Sequence, residues 1–483
     1  MLIMSLALVS CGGSGEDDGN NSGEAAPEVN IVKTTPENGA TIKGEVQITV
    51  EFDQLIKLNF GKAITINGEN SINGSQISYI NQGKTLSIAP KFNAQKGAKY
   101  EVVIPSDVVK GYSKEIKITF QGPEAPAAKP SEISKTLVNG NATAQMLYNY
   151  MQSIYGSQIL SGAIANVSVN QVEAGLVKKL TGKTPAMLTI DYIFSNLTNE
   201  RSTWEQASIY KKIDTYKAHS DANGIVSACW HLNVPSAETY AAKNDVNNED
   251  KKVSWSASHY FSAREAVKAG TWQNEFLEFS LGQVIEDLKL FKEADIPVVW
   301  RPFHEAAGNA CITGKNADAW FWWGKDGAEA YIELWKYMFN RFKDEGLDNL
   351  IWVWTTQSGI DRGNNWYCPD DSDWYPGDEY VDIVARDMYD CTNASLCASE
   401  YEAIKELFPN KMITLGENGN IAKISDAWNA GANFLYFMPW YDYDVDNKSL
   451  DLDQSQHANK AWWQDAAKCG NVLFLEDMPN WRE

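Results

Sequence analysis

Glu305 and Glu417 lie 112 positions apart, yet each closes an apolar run with the character of a buried strand: IPVVWRPFHE (296–305) and MITLGENG (412–419). Two carboxyl groups brought together from such strand ends are what cleavage of a glycosidic bond requires. One stays protonated and donates to the leaving oxygen; the other stays ionised and attacks the anomeric carbon or activates a water. Further chemistry-bearing residues end similar runs. These are Asp191-Tyr192, Trp230-His231-Leu232-Asn233, His304 directly before Glu305, Asp387-Met388-Tyr389, and Pro439-Trp440-Tyr441. A single polar strand end means little, but acids, imidazoles and aromatics gathered on one set of ends are more than a structural sheet needs.

The elements that must position them repeat one pattern. Eight short apolar runs read as strands: QILSGAI (158–164), AMLTIDYIF (186–194), GIVSACWHLN (224–233), 296–305, LIWVWTTQS (350–358), VDIVARDMY (381–389), 412–419 and NFLYFMPWYDY (433–443). Segments with apolar residues every three to four positions lie between them, among them TWEQASIYKKIDTYKAHS, NEFLEFSLGQVIEDLKLFKEA and AEAYIELWKYMFNRFKDEG. Near-continuous apolar strands alternating with helices imply a parallel sheet covered on both faces. Eight units of ~40 residues predict an α/β fold, a (β/α)₈ TIM barrel over 136–483, with the site at the C-terminal strand ends. Strands four and seven of a closed barrel face each other across its mouth, so Glu305 and Glu417 are expected within about 5–5.5 Å, the separation of retaining enzymes. An open doubly wound sheet is the lesser alternative, because no glycine-rich phosphate loop follows the first strand.

Residues 29–121 alternate apolar and polar positions in short segments such as VQITVEF, KYEVVIP and EIKITFQ, with turn signals at Asn67-Gly68 and Asn73-Gly74. This predicts a small all-β immunoglobulin-like sandwich, expected to act as a spacer. Residues 122–135, rich in Pro and Ala, read as a linker.

The formal net charge of −21 disfavours nucleic acid and anionic surfaces and suits a neutral substrate. Eighteen Trp and 21 Tyr fit either sugar-stacking surfaces or an aromatic core. Residues 1–28 read as a leader and flexible tether. The apolar run MLIMSLALVS is too short to span a bilayer and meets Cys11 in a sequence that resembles a bacterial lipobox. The expectation is lipid attachment at Cys11, an outer-membrane lipoprotein facing the cell surface, and a monomer. Six further cysteines are compatible with disulfides in an oxidising compartment, and Cys391 and Cys397 are close enough to close a small loop. No CxxC pair or Cys/His cluster points to a metal, and no cofactor is expected. The acidic run 442–446 lacks the spacing and glycine of a calcium loop and reads as solvated.

The run Trp300-Arg301-Pro302-Phe303-His304-Glu305 closely resembles the acid/base motif of glycoside hydrolase family 26, where His precedes the catalytic glutamate. The run around Glu417 resembles that family's nucleophile motif, with Gly416 where a second small or polar residue is usual. The resemblance extends over nearly all of 136–483. It implies that Glu305 is the general acid and then the base, and that Glu417 is the nucleophile, oriented by Tyr389. It further implies that His231 and His304 bond sugar hydroxyls or the catalytic carboxylates, that Trp440 stacks under the sugar at the cleavage point, and that Trp322 forms part of the leaving-side subsite. The substrate implied is a neutral β-1,4-mannan or galactomannan, cut internally. Mixed-linkage β-glucanase or β-1,3-xylanase activity is an alternative, and so is a non-catalytic glycan-binding lipoprotein.

Overall fold

The structure, a computed structural model, describes residues 29–483 apart from 43–44, 60, 67–69, 73–76, 95–98, 123–131, 166–169, 197–206, 236–252, 257–259, 363–366 and 442–451. Cys11, most of the expected linker and the acidic run 442–446 lie outside the described residues. The chain divides into two compact units, Met1–Ala128 and Lys129–Glu483.

The first unit holds strands β1 (Ile31–Thr35), β2 (Ala40–Thr41), β3 (Glu45–Phe52), β4 (Ile64–Ile66), β5 (Asn70–Ile72), β6 (Ile77–Ile80), β7 (Thr85–Asn93), β8 (Lys99–Ile104) and β9 (Ile116–Gln121). They form two sheets, in orders β1-β3-β7-β6 and β2-β9-β8-β4-β5. Alternation places Ile48, Val50 and Phe52 of the first sheet and Val102, Ile104, Ile118 and Phe120 of the second in one buried cluster. This is the immunoglobulin-like sandwich.

The second unit contains the strands β10 (Ile159–Ile164), β11 (Met187–Asp191), β12 (Ile225–Trp230), β13 (Val234–Pro235), β14 (Val253–Ser254), β15 (Val298–Pro302), β16 (Leu350–Thr356), β17 (Ile383–Tyr389), β18 (Met412–Gly419), β19 (Tyr436–Phe437) and β20 (Val472–Leu473). Its helices are α1 (Ala142–Ile154), α2 (Val172–Thr181), α3 (Asp214–Asp221), α4 (Ala263–Ala266), α5 (Trp272–Glu293), α6 (Gly308–Thr313), α7 (Ala328–Asp344), α8 (Ala394–Leu407), α9 (Ile424–Ala430) and α10 (Lys460–Lys468). Parallel pairing runs β10-β11-β12-β15-β16-β17-β18, with β19 on the other edge of β10. The curl closes where Leu435 N donates to Ile413 O at 2.9 Å and Trp440 N donates to Asn418 O at 3.0 Å. All eight expected strands are present, and the fold is a (β/α)₈ barrel. The eighth, β19, has shrunk to two residues. A strand that the sequence reading did not contain, β20, pairs beside it with β10.

Side-chain alternation sorts the strands into two layers. Ile225 and Cys229 of β12, Val299 of β15 and Ile383 and Ala385 of β17 turn inward, in one cluster with Leu147, Tyr148 and Met151 of α1. Val226, Trp230, Val298, Trp300 and Val384 turn outward against the helices. On α7, Tyr331, Leu334, Trp335, Met338, Phe339 and Phe342 recur at helical spacing and are all buried. Seven Trp residues, 230, 300, 322, 323, 335, 352 and 354, are fully buried, so much of the aromatic excess builds this core. Side-chain caps fix helix starts: Asn141 Oδ1 accepts from Ala144 N at the head of α1, and Asn393 Oδ1 accepts from Ser395 N and Leu396 N at the head of α8. Cys311 of α6 and Cys368, in the loop that follows β16, form a disulfide.

Candidate active site

Both glutamates sit where the strand pattern breaks. On β18, simple alternation from Met412 through Thr414 would turn position 416 inward and 417 outward. The register with β17 shifts there: Arg386 pairs Leu415, but Asp387 pairs Glu417, and Gly416 is the extra residue of a β-bulge. The bulge resets the phase and turns Glu417 into the barrel mouth. Only glycine fits at 416, because a Cβ there would lie 2.7 Å from Asp387 Oδ1 and 3.0 Å from Arg301 Cδ. At the end of β15 the break is conformational. Phe303 (φ 45°) and Glu305 (φ 51°) both adopt left-handed backbone, which non-glycine residues rarely do. Nearby hydroxyl and indole donors take up the buried carbonyls: Tyr331 Oη donates to Phe303 O at 3.1 Å, and Trp323 Nε1 donates to His304 O at 2.9 Å.

Glu417 is buried and held by charge-assisted hydrogen bonds. Tyr389 Oη donates to its Oε2 at 2.7 Å, and Arg301 Nη2 donates to its Oε1. His304 Nε2 stands 3.4 Å from the same Oε1. The other arm of Arg301 donates to Asp387 Oδ2 at 2.9 Å and to Thr355 Oγ1 at 3.3 Å. Burial opposes the charge on Arg301, but Asp387 and Glu417 more than restore it. Burial, countered by Arg301 and reinforced by Glu417, pushes Asp387 up to about 7. Burial and the negative charge of Glu417 hold the Tyr389 phenol far above its ordinary range, so it remains a donor.

Glu305 stands in a different environment. It is partly accessible at the mouth, and its Oε2 accepts from Trp320 Nε1 at 3.0 Å. Its pKa is raised well above the ordinary carboxylate value, first by burial and then by the charges of Asp387 and Glu417. The site therefore sets a carboxyl group held by several donors beside one whose environment favours the protonated form, the kind of contrast that glycosidic cleavage uses.

The two histidines meet at 4.3 Å between ring centroids, nearly perpendicular. His231 Nδ1 donates to Asp191 Oδ2 at 2.7 Å, and its backbone N donates to Asp191 Oδ1 at 3.1 Å. Since a carboxylate accepts only, this bond fixes the tautomer and leaves Nε2 for other partners. Burial alone would lower the His231 pKa, but the Asp191 charge and hydrogen bond outweigh it and raise it. His304 shifts the opposite way, well below its ordinary value, through burial and the neighbouring Arg301 and His231. Trp440 stands beside His231, with ring centroids 5.6 Å apart.

Trp322 departs from expectation. It is fully buried, and its Nε1 donates to Leu232 O at 2.9 Å, so it offers no face to a sugar. Trp320 takes the position over Glu305. Trp255, 41% exposed with its ring 6.1 Å from His231, adds an aromatic to the rim. Arg301, Asp191 and Asp387 join the site although the sequence reading gave them no role. Each lay in a run singled out there, but nothing in a strand-end motif tells which acid shares a guanidinium or an imidazole. Among the described residues, two donor groups are compact enough for a cation: Asp191, Cys229 and His231, and His304, Asp387 and Glu417. In the second, Arg301 already engages both carboxylates.

Comparison with known proteins follows the division into two units. Residues 138–465 match the profile of glycosyl hydrolase family 26, and residues 24–125 match a bacterial Ig-like domain. A mannan endo-1,4-beta-mannosidase of Thermothelomyces thermophilus is 30% identical over 371 residues, 75% of this chain and 67% of that protein. The chain spans little more than half the length of two similar Piromyces proteins, 53% and 56%. Among solved structures, the family 26 domain of an endo-beta-mannanase/endo-beta-glucanase from Prevotella bryantii is 38% identical, with a TM-score of 0.63 over 72% of this chain and 100% of that one. A beta-mannanase from a symbiotic protist of the termite Reticulitermes speratus, solved with a gluco-manno-oligosaccharide, is 26% identical, with a TM-score of 0.56 over 73% of this chain and 99% of that one.

Proposed function

The chain belongs to glycosyl hydrolase family 26 and is a glycoside hydrolase, and from that premise we propose that it cuts internal β-1,4 bonds of mannan and galactomannan with retention of anomeric configuration. The observation that carries this reading is the contrast between Glu417, gripped by Arg301 and Tyr389, and Glu305, which accepts from Trp320 and whose pKa is raised by burial and by the charges of Asp387 and Glu417. The mannanase relatives support the choice of polymer, and so does the gluco-manno-oligosaccharide bound by the protist enzyme.

In the first step Glu305 gives its proton to the glycosidic oxygen while the Glu417 carboxylate attacks the anomeric carbon, forming a glycosyl ester and releasing the leaving sugar. Ester formation removes the Glu417 charge, one of the causes that hold the Glu305 pKa up. Glu305 is thereby suited to act as base in the second step, taking a proton from the water that opens the ester. Tyr389 and Arg301 keep the carboxylate oriented for both steps. Trp440, beside His231, forms the floor under the sugar, and Trp320 forms a wall on the acid side. Release of reducing sugar from mannan, galactomannan and glucomannan, set against lichenan and β-1,3-xylan, tests the reading. The expected order puts the mannans first; preference for lichenan or xylan overturns it.

The lipobox-like run supports attachment through Cys11 to the outer membrane at the cell surface; a spacer role for the Ig-like domain and a monomeric enzyme belong to the same proposal. Incorporation of labelled palmitate that is lost in Cys11→Ser tests the anchor.

A further inference from the structure

The barrel holds a pair of thiols that this chemistry does not use. Cys391 lies two residues beyond Tyr389, and Cys397 lies in the first turn of α8. Both are buried, and their sulfur atoms are 3.3 Å apart. The pair sits where three loops converge. Ala422 N, in the loop after β18, donates to Cys391 O at 2.8 Å. Arg362, in the loop after β16, hydrogen-bonds Cys391 and donates Nη1 to Tyr389 O at 2.9 Å. The Asn393 cap fixes the chain between the two cysteines, holding the start of α8 and hence Cys397 in place. Cys229 and Cys469, the other described free cysteines, stand outside this junction.

We propose that Cys391 and Cys397 are a disulfide-forming pair, a second covalent staple beside Tyr389 that matches the Cys311–Cys368 bridge on the Glu305 side. A disulfide bond is ~2.05 Å long, so closing the pair from 3.3 Å brings the sulfur atoms nearer by only about 1.2 Å. The hydrogen bond from Cys397 and the neighbouring Arg362, working against burial, bring the Cys391 thiol down to about 7, which favours the attacking thiolate near neutral pH. The oxidant is a disulfide such as oxidised glutathione, met while the chain folds in an oxidising compartment. The Cys391 thiolate attacks one glutathione sulfur, and the other leaves as a thiolate. The Cys397 thiol then gives its proton to solvent and attacks Cys391 Sγ, releasing the second glutathione. The two cysteines have lost two protons and two electrons, and the oxidant has become two thiols.

One tryptic peptide, residues 387–405, carries both cysteines with no Lys or Arg between them. The full chain is refolded in a glutathione redox buffer, denatured, alkylated and mapped by mass. The expected peptide is unalkylated and two hydrogens lighter than the dithiol, and it gains two alkyl groups only after reduction. A chain that recovers both the Cys311–Cys368 bridge and hydrolytic activity, yet carries two alkyl groups on this peptide without reduction, overturns the proposal. In Cys397→Ser, the pairing requires Cys391 to become alkylatable. If Cys391 is instead found bridged to Cys229 or Cys469, the pairing is wrong.

Discussion

Tyr389 donates its hydroxyl to Oε2 of Glu417 at 2.7 Å, and that phenol stays protonated because burial and the carboxylate itself resist its ionisation. Tyr389→Phe removes the donor and keeps the ring. A hydrogen bond to a charged group contributes ~1.5–3 kcal/mol, so kcat is expected to fall roughly 10- to 100-fold. Thermal unfolding should stay near wild type. Steady-state kinetics on mannan together with a melting curve check both; unchanged kcat would remove Tyr389 from the reaction.

Arg301 neutralises two buried acids at once, so its loss should show in stability as well as in rate. Arg301→Met leaves Asp387 and Glu417 without their common partner, and breaking a buried ion pair in this way costs ~3–5 kcal/mol. The pH sign follows from Asp387, whose pKa in the fold, about 7, lies above its ordinary value. Its stabilising contribution is complete below the ordinary carboxylate range and is lost as pH rises through about 7. Arg301 limits that loss, so the deficit of the variant should widen from pH 5 to pH 8. Urea unfolding at the two pH values measures it, and a deficit that narrows with rising pH contradicts the assignment.

Asp387 is also one of the charges that raise Glu305. Asp387→Asn removes that charge, so Glu305 gives up its proton at lower pH. The alkaline limb of the kcat/KM profile should therefore move to lower pH. A limb that stays where it is would separate the two carboxyl groups electrostatically, and a shift to higher pH would reverse the sign of the coupling.

The tryptophans after β15 divide between core and cleft. Trp322→Phe leaves Leu232 O without its donor, at a cost of ~1–3 kcal/mol in stability, with KM unchanged. Trp320→Ala should instead raise KM and lower kcat while the melting temperature holds, because its indole reaches Glu305. Reversed behaviour in the two variants would restore Trp322 to the cleft.

These residues also mark how far the sequence could be read. Buried strands and amphipathic helices write their periodicity into the chain, so all eight strands and the barrel were legible. The two glutamates stood out as well, each in a motif at a strand end, and the structure places both at the barrel mouth. The phase of the strands around them was not. Counting by twos from Met412 turns Glu417 outward, and only the bulge at Gly416, seen in its register with β17, brings it back. Nothing local announces the left-handed Phe303 and Glu305 either, since both residue types ordinarily avoid that conformation. Trp320, Phe321, Trp322 and Trp323 are chemically alike, and what sorts them is the tertiary position of Leu232 O, His304 O and Glu305 Oε2. β20 was missed because two residues carry no periodicity; it is defined by its pairing with β10.

The acid role proposed for Glu305 has its own signature. Glu305→Gln should lower kcat on mannan by ~10²–10⁴-fold. An aryl mannoside whose leaving group needs no proton should be largely spared in its first step. Equal losses on both substrates would place the proton donor elsewhere.

The central claim is that Glu417 forms a covalent bond to the sugar, and trapping that ester tests it most directly. The enzyme is incubated with a 2-deoxy-2-fluoro-mannosyl substrate carrying a good leaving group, digested with trypsin and mapped by mass. The label is expected on the peptide of residues 412–423, at Glu417, and the first mannan product seen by NMR should be the β-anomer. A first product of inverted configuration, or a label on any other carboxylate, would contradict it.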